Sequence, residues 1–265
     1  MLHSPRAWSY SAAVRVTSEA AASYQREGFL VLRELFDGEA LSQFESRLVE
    51  LASGRLPAPE PMIVMQDVMV VRGVVSPETP LHGINKILSF ENDPVLFEHS
   101  LHPELLSAVR ALIGHAVMTI STNVFNKPPG IDGRHPLHQD LRYFTLRPAE
   151  RIVAAWTAIS GCTRENGCLA VIPGSHQRGL LQHGSPDWEY LNYGFFSAEG
   201  VDQEARVHLE MEPGDTILFH PLLVHGSGRN RSPDFRRAIS THFASVDCVR
   251  SSGPHKREPV VRRVP

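Results

Sequence analysis

The pattern of hydrophobic and polar residues first becomes regular at Thr17. The segment TSEAAASYQREG opens with a hydroxyl residue suited to cap a helix and closes at Gly28, a common helix terminator. The run FLVLREL that follows is typical of a strand, and Asp37 then stands where a second helix would be capped. The apolar positions at helical spacing in this second helix are Leu41, Phe44, Leu48 and Leu51. The chain is therefore predicted to begin with a helix, a strand and a second helix.

The rest of the N-terminal part is less regular. Residues 55–80 contain several prolines and a run rich in valine and methionine, which favours a loop with an edge strand. A third helix is predicted from Pro103 to Ile113, where leucine and valine recur on one side. Residues 1–16 and 251–265 show no period, and the second of these segments is proline-rich and basic. Both ends are predicted to be flexible.

From Ala116 onward the chain consists of short β-rich runs separated by turn residues. These runs are AVMTISTNVFN, LHQDLRYFTL, RIVAAWTAIS, CLAVIP, ARVHLEM, DTILFHPLLVH and RRAISTHFAS. The turn signals Asn166-Gly167 and Pro213-Gly214 lie between runs and predict antiparallel hairpins. Strands at this spacing indicate a sandwich or barrel, and we expect a double-stranded β-helix, the cupin-like jelly roll. The predicted fold is thus mostly β with flanking α-helices.

Length and composition narrow the function classes. A chain of 265 residues suits one catalytic domain, with a helical part over about 17–115 and a jelly-roll core over about 116–250. The net charge of −3 gives no basic surface for a nucleic-acid partner. No apolar run approaches the roughly 20 residues of a membrane span, and no stretch resembles a signal peptide. A cytoplasmic location is the resulting expectation.

The cysteines do not indicate a metal site, whereas the histidines do. The three cysteines, Cys162, Cys168 and Cys248, show no C-x-x-C spacing, so they are predicted to be buried free thiols. Histidine is abundant, with 14 residues, and several of them lie between Pro128 and His242. A metal site is therefore sought in that region.

The sequence HPLHQDLRYF places His138 and Asp140 two positions apart on a predicted strand, where alternation sends both side chains to one face. In FHPLLVHGSG, His225 ends a later strand and offers a third ligand. Two imidazoles and one carboxylate form the facial triad of oxygen-activating Fe(II). Spacing alone does not choose among the other histidines nearby, which are His135, His176, His220 and His242.

A second group of residues lies beyond His225, in FRRAISTHFAS. Arg236 shares a strand face with Ala238 and Ser240, whose small side chains leave room for a ligand beside the guanidinium. A planar guanidinium pairs well with a carboxylate. Arg237 points to the opposite face and is predicted to be solvated.

The motifs HPLHQD, AWTAI, NGCLAVIPGSH and GDTILFHPLLVHGSGRNRSPDFRRAISTHFASVDC resemble those of the phytanoyl-CoA dioxygenase family. The similarity covers most of residues 24–250, and the long final motif is highly specific. The family fold, a double-stranded β-helix, agrees with the strand pattern. The resemblance implies that His138, Asp140 and His225 bind iron and that Arg236 holds 2-oxoglutarate.

The same resemblance implies four further cosubstrate contacts. Ser227 and Trp156 match positions that line the cosubstrate pocket, and Gln139 and Lys86 match additional contacts. Each also has an ordinary structural interpretation. Trp156 suits a strand core, Ser227 suits a turn between glycines, and Lys86 suits the surface. Strict strand alternation would turn Gln139 away from the metal.

The implied activity is that of a dioxygenase using Fe(II), 2-oxoglutarate and O2, with ascorbate as a supporting reductant. It would hydroxylate an aliphatic C–H bond of a small molecule and release succinate and CO2. Position 2 of a fatty acyl-CoA is the first candidate, and a natural product or amino-acid-like metabolite is the second. Asp140 favours hydroxylation over halogenation. A non-redox cupin metalloenzyme, a jelly-roll binding module and an inactive paralogue are the alternatives from other classes. A binding module requires neither Arg236 nor the metal, and an inactive paralogue would usually have lost a ligand.

Overall fold

The computed structural model describes residues 16–251 and 260–265. The predicted flexible N-terminus lies outside these residues except for Val16. The α-helices are α1 Ser18–Glu27, α2 Gly38–Ala52, α3 Val68–Val71, α4 Glu98–Leu101 and α5 Pro103–Ile113. The 3-10 turns are Pro80–Gly83, Asp140–Tyr143, Ala149–Arg151, Ser175–Arg178 and Gln203–Ala205.

The predicted helices form where their end signals place them. The Thr17 hydroxyl accepts a hydrogen bond from the backbone N–H of Ala20 at 3.1 Å, and Gly28 ends α1 in the left-handed conformation at φ 85°. The Asp37 carboxylate caps α2 in the same way as Thr17 caps α1. Helix α5 spans the residues predicted for it, with a proline in its first turn.

The strands alternate with turns over most of the chain. In chain order they are β1 Phe29–Leu32, β2 Ile63–Gln66, β3 Ile84–Leu88, β4 Val117–Lys127, β5 His135–His138, β6 Leu146–Arg147, β7 Ile152–Ala158, β8 Leu169–Val171, β9 His183–Gly184, β10 Ser197–Ala198, β11 Val207–Leu209, β12 Thr216–Phe219, β13 His225–Ser227, β14 Arg236–Ser245, β15 Val249–Arg250 and β16 Arg262–Arg263. Strand β2 is the edge strand expected within residues 55–80.

Two antiparallel sheets form the body of the protein. The major sheet has the order β1-β12-β7-β14-β4-β3-β2, with β16 also paired to β4. The minor sheet has the order β11-β8-β13-β5. Residues Ala154, Trp156 and Ala158 of β7 pack toward the minor sheet, whereas Val153 and Ala155 pack toward the helices. Because strand alternation separates these two sets, one sheet supports both hydrophobic layers.

The prediction that Asn166-Gly167 and Pro213-Gly214 each form an antiparallel hairpin is wrong. Both turns are present, with Gly167 at φ 82° and Gly214 at φ 92°, but each connects strands of different sheets. Strand β8 pairs with β11 and β13, not with β7, and β12 pairs with β1 and β7. A glycine turn fixes the local reversal, whereas pairing partners depend on the closure of the whole jelly roll.

The predicted flexible tail, residues 251–265, is only partly described by the structure. Residues 252–259 lie outside the described part of the chain, but Arg262–Arg263 form β16 and pair with Thr119 and Met118 of β4. Val264 is buried against the helical layer. A proline-rich, basic segment without periodicity can therefore still end in an edge strand, because two residues are too few to show a pattern.

Candidate metal centre and cosubstrate pocket

A cavity opens between the two sheets and contains most of the residues that the sequence singled out. It has a volume of about 610 Å³ including its open mouth. The major sheet contributes residues from β4, β7 and β14, and the minor sheet contributes residues from β5, β8 and β13. The predicted site residues that line it are His138, Asp140, His225, Ser227, Trp156 and Arg236.

The structure brings the three predicted metal ligands together at this cavity. His138 ends β5 and His225 begins β13, and these two residues are direct partners in the antiparallel pairing. One ligand atom from each of His138, Asp140 and His225 lies within 4.8 Å of the other two. The Nε2 atom of His138 is 3.3 Å from Asp140 Oδ1, and that of His225 is 3.7 Å from Asp140 Oδ2.

The sequence predicts that Asp140 lies on a strand. In the structure it begins a 3-10 turn instead. Strand β5 ends at His138, and the turn closes with Tyr143. Gln139 between the two ligands keeps extended dihedrals, φ −120° and ψ 129°. The i, i+2 relation of His138 and Asp140 therefore survives, because only the intervening residue has to be extended.

Hydrogen bonds to the backbone fix the orientation of both imidazoles. His138 Nδ1 lies 2.8 Å from the Pro136 carbonyl oxygen, and His225 Nδ1 lies 3.0 Å from that of Leu223. A carbonyl oxygen only accepts, so each Nδ1 carries the proton and each Nε2 is left with a free lone pair. Second-shell bonds of this kind are typical of histidine metal ligands.

Electrostatics favour the protonation states that a metal site needs. Burial lowers the pKa of His225 to about 4, against the opposing effect of Asp140, so this imidazole is neutral near pH 7. Burial by itself would raise the pKa of the Asp140 carboxyl. The neighbouring His225 and His242, together with the hydrogen bond from His242, outweigh burial and hold that pKa well below its usual range. A neutral imidazole and an ionised carboxylate are the forms that ligate a cation.

The remaining candidate histidines occupy other positions. The His242 Nε2–H donates to Asp140 Oδ2 at 2.8 Å, so this residue supports the carboxylate. His135 stacks on His138 with ring centroids 4.2 Å apart. The ring centroids of His176 and His220 are 5.2 Å apart, and neither residue lines the cavity. The sequence contained no signal for this division, which follows from strand pairing.

Arg236 is a buried cation in the cavity. Its guanidinium is 2% exposed and lies 5.6 Å from the centre of the Trp156 ring. Within the described chain, its Nε and Nη1 atoms have no hydrogen-bond partner. Buried donors without partners are costly, so the guanidinium fits an anionic ligand such as a carboxylate.

A sequence profile described as phytanoyl-CoA dioxygenase matches residues 24–238. The chain belongs to the phytanoyl-CoA dioxygenase family. It is 41% identical over 243 residues to a probable phytanoyl-CoA dioxygenase of Caenorhabditis elegans, covering 89% of this chain and 77% of the relative. It is also 41% identical over 238 residues to the peroxisomal phytanoyl-CoA dioxygenase of Homo sapiens, covering 88% and 70% of the two chains.

Solved structures agree with the predicted fold. The apo form of EctD from S. alaskensis has a TM-score of 0.68 at 21% identity, covering 100% of this chain and 92% of that one. The α-ketoglutarate-dependent carbocyclase SnoK from nogalamycin biosynthesis has a TM-score of 0.67 at 18% identity, covering 94% and 96%. The jelly-roll fold of the phytanoyl-CoA dioxygenase family is thus confirmed.

The predicted enzyme class is confirmed as well. Membership of the phytanoyl-CoA dioxygenase family and the His138, Asp140 and His225 group make the chain a non-haem iron- and 2-oxoglutarate-dependent dioxygenase. Among residues 16–251 and 260–265, no helix has the length and hydrophobicity needed to cross a bilayer. The human relative is named as peroxisomal, so the cytoplasmic location stays a prediction.

Two of the residues that the resemblance implies as cosubstrate contacts, Gln139 and Lys86, are not among those that line the cavity. The Gln139 amide donates to the carbonyls of Gly179 and Leu222 and accepts from the Leu181 N–H, so it connects the loop at Gly179 and Leu181 to the loop that contains Leu222. Lys86 lies on β3 with its ammonium 4.8 Å from the centre of the Phe195 ring.

Strand alternation predicts that the Arg237 side chain is solvated, and this prediction is wrong. It does point to the opposite face from Arg236, but there its guanidinium pairs with Glu45 of α2 and lies 4.5 Å from the centre of the Phe235 ring. Helix α2 covers this face of the major sheet. Arg237 is covered because the helical layer lies over β14. The local sequence does not show where that layer lies.

Sequence reasoning missed Lys127. This residue ends β4, pairs directly with Arg236 and lines the cavity. A lysine at the end of a strand is usually solvated, so its type gave no signal. Its position directly after the β-rich run AVMTISTNVFN was the only hint.

Proposed function

We propose that this chain hydroxylates an aliphatic C–H bond of a fatty acyl-CoA, with Fe(II) held by His138, Asp140 and His225. The observation that carries the proposal is the approach of these three side chains to within 4.8 Å at a cavity that also contains the unpartnered Arg236. Two imidazoles and a carboxylate form a ligand set that suits Fe(II) and would leave room for further ligands. The 41% identity to phytanoyl-CoA dioxygenases supports the acyl-CoA substrate.

The residues of the site divide the work between them. When bound, the iron would supply the oxygen-activating chemistry, coupled to the conversion of 2-oxoglutarate into succinate and CO2. Asp140 supplies the negative charge of the ligand set, and the Nδ1–H bonds of His138 and His225 hold both imidazoles in place.

The other wall of the cavity suits the organic acid. Arg236 would hold the far carboxylate of 2-oxoglutarate through its free Nε–H and Nη1–H donors. Trp156 lies beside the guanidinium and would shield it from water. Ser227, half-buried on the opposite sheet, would contribute a hydroxyl to the same carboxylate. Gln139 and Lys86 would act only indirectly, by shaping the loops and the mouth.

Substrate panels test the acyl-CoA assignment. The purified protein would be supplied with Fe(II), 2-oxoglutarate, O2 and ascorbate, and succinate formation would be measured with acyl-CoA thioesters, the matching free acids, and amino-acid-like metabolites. We expect thioesters to stimulate succinate formation and to gain one oxygen atom. Stimulation by another class alone would replace the proposed substrate but leave the oxygenase in place.

Metal analysis tests the ligand set in the same preparations. Asp140→Ala and His225→Ala should lose Fe(II) and turnover together, whereas His208→Ala on β11, outside the cavity, should lose neither. Normal iron content and turnover in both ligand variants would refute the assignment. Turnover supported by zinc without succinate formation would indicate a non-redox cupin enzyme instead.

A further inference from the structure

Lys127 is a second buried cation in the cavity, beside Arg236. It is 6% exposed, and its direct partner in the β4–β14 pairing is Arg236. Residues directly opposite in an antiparallel pair place their side chains on the same face, so both cations project into one pocket. Among the described residues, no carboxylate lies within ion-pair distance of Lys127. Asp132, which acts on it electrostatically, pairs with Arg134 and Arg229.

Two buried cations without an ion-pair partner among the described residues are unfavourable. Burial, and then the charge of Arg236, lower the pKa of Lys127 well below its usual value. The free Nε and Nη1 donors of Arg236 add to this cost. An anion bound between the two residues would reduce the repulsion, and a carboxylate has that charge.

The hydrogen bonds of Lys127 show how it would act. Its ammonium donates to Ser227 Oγ at 2.8 Å and to the Gly228 carbonyl oxygen. An ammonium only donates, so Ser227 Oγ must accept in this bond. The hydroxyl proton of Ser227 is then left to donate to a different acceptor. Because Ser227 lines the cavity with Arg236, that acceptor can be the ligand of the guanidinium.

We propose that Lys127 is a positioning residue for the cosubstrate, which turns the Ser227 hydroxyl into a donor to the far carboxylate of 2-oxoglutarate. This inference rests on the proposed function, because it assumes that Arg236 holds that carboxylate. Lys127 and Ser227 together would add to the preference for a 2-oxo acid with a second carboxylate. A 2-oxo acid without one cannot use either residue.

A purely structural role makes a different prediction. The bond to the Gly228 carbonyl alone would hold the loop after β13, and its loss would affect every ligand of the cavity. Positioning through Ser227 predicts instead that the effects of Lys127 and Ser227 depend on each other. A double-mutant cycle separates the two roles.

The experiment measures equilibrium binding, not turnover. Wild type, Lys127→Met, Ser227→Ala and the double variant would be loaded with Fe(II) and titrated anaerobically by calorimetry with 2-oxoglutarate and with 2-oxobutanoate. We expect each single variant to weaken 2-oxoglutarate binding about tenfold, the effect of one hydrogen bond to a charged group. The double variant should bind no more weakly than Ser227→Ala, and 2-oxobutanoate should bind all four proteins equally.

Lys127→Gln provides a second test, which remains available if Lys127→Met fails to fold. Its amide can still donate to Ser227 Oγ but carries no charge, so its affinity for 2-oxoglutarate should lie between those of wild type and Ser227→Ala. Additive effects in the cycle, unchanged affinity in the Lys127 variants, or equal losses for both ligands would overturn the inference.

Arg236→Ala distinguishes this failure from failure of the proposed function. If wild type binds 2-oxoglutarate and Arg236→Ala binds it at least tenfold more weakly, the cosubstrate pocket stands whatever the Lys127 result. Wild-type affinity in Arg236→Ala would refute the pocket itself.

Discussion

At the scale of single residues, Asp140 is the most constrained group of the site. Its Oδ1 faces His138, and its Oδ2 faces His225 and accepts the His242 Nε2–H. The ring of His242 is held in turn by an edge contact with Phe144, 5.0 Å between centroids. His242 therefore fixes which carboxylate oxygen remains free for a cation.

We predict that His242→Phe weakens Fe(II) binding. The substitution keeps an aromatic ring but removes the donor to Asp140, and loss of such a support typically costs about 10–100-fold in metal affinity. Competition with a chromophoric chelator under anaerobic conditions measures the change. His242→Gln, whose amide retains a donor, should recover part of it, and His208→Phe on β11 is the matched control. An Fe(II) affinity within twofold of wild type in His242→Phe would contradict the prediction.

At the scale of elements, the turn before β12 is hydrogen-bonded to the segment between β1 and α2. The Gly214 N–H donates to the Ala158 carbonyl at 2.9 Å, and its own carbonyl accepts from the N–H groups of Leu35 and Phe36 at 3.0 and 3.2 Å. Asp215 adds a contact to the N–H of Glu34 at 2.9 Å. This turn thus holds the segment that connects β1 to α2 against the end of β12 in the major sheet.

Gly214→Ala is expected to lower the free energy of unfolding by about 1–3 kcal/mol, because an L side chain is strained at this backbone conformation. Gly214 has φ 92°, and a Cβ there would also collide with the Phe36 carbonyl oxygen. Urea unfolding measures the loss. Gly38→Ala is the matched control, since nothing lies within 4 Å of its Cβ position and it begins α2. Equal stability of both variants would contradict the argument.

At the scale of the whole molecule, a buried polar network joins the helical layer to the major sheet. His99 of α4 contacts the hydroxyls of Thr157 at 2.8 Å and Thr241 at 3.0 Å. Ser100 also contacts Thr241, and Thr216 contacts Thr157, each at 2.8 Å. Burial, and then the charge of His102, lower the pKa of His99 to about 3.

This network predicts that stability falls in mild acid. The unfolded chain protonates His99 below its ordinary pKa of 6.5, whereas the folded protein leaves it neutral down to about 3. Between these values the unfolded state binds one more proton, so stability falls by about 1.4 kcal/mol per pH unit from this group. Urea unfolding of the metal-free protein between pH 6.5 and 4.5 should show a shallower slope for His99→Gln. The exposed His115→Gln is the control, and parallel slopes would refute the assignment.

Much of the local structure followed from the sequence. The caps at Thr17 and Asp37 and the bounds of α5 depend on neighbouring residues, so periodicity and end signals were sufficient. The opposite faces of Arg236 and Arg237 followed from the two-residue period of a strand. The H-x-D pair also followed, because residues i and i+2 share a face wherever the residue between them is extended.

Tertiary structure decided whatever depends on residues far apart in the chain. The pairing of β5 with β13 selected His225 as the partner of His138 and left His242 to support Asp140. Closure of the jelly roll turned both predicted hairpins into crossings between sheets. The pairing of β4 with β14 placed Lys127 beside Arg236, and helix α2 gave Arg237 a partner. Local periodicity shows which face a side chain occupies, whereas only packing decides what lies opposite that face.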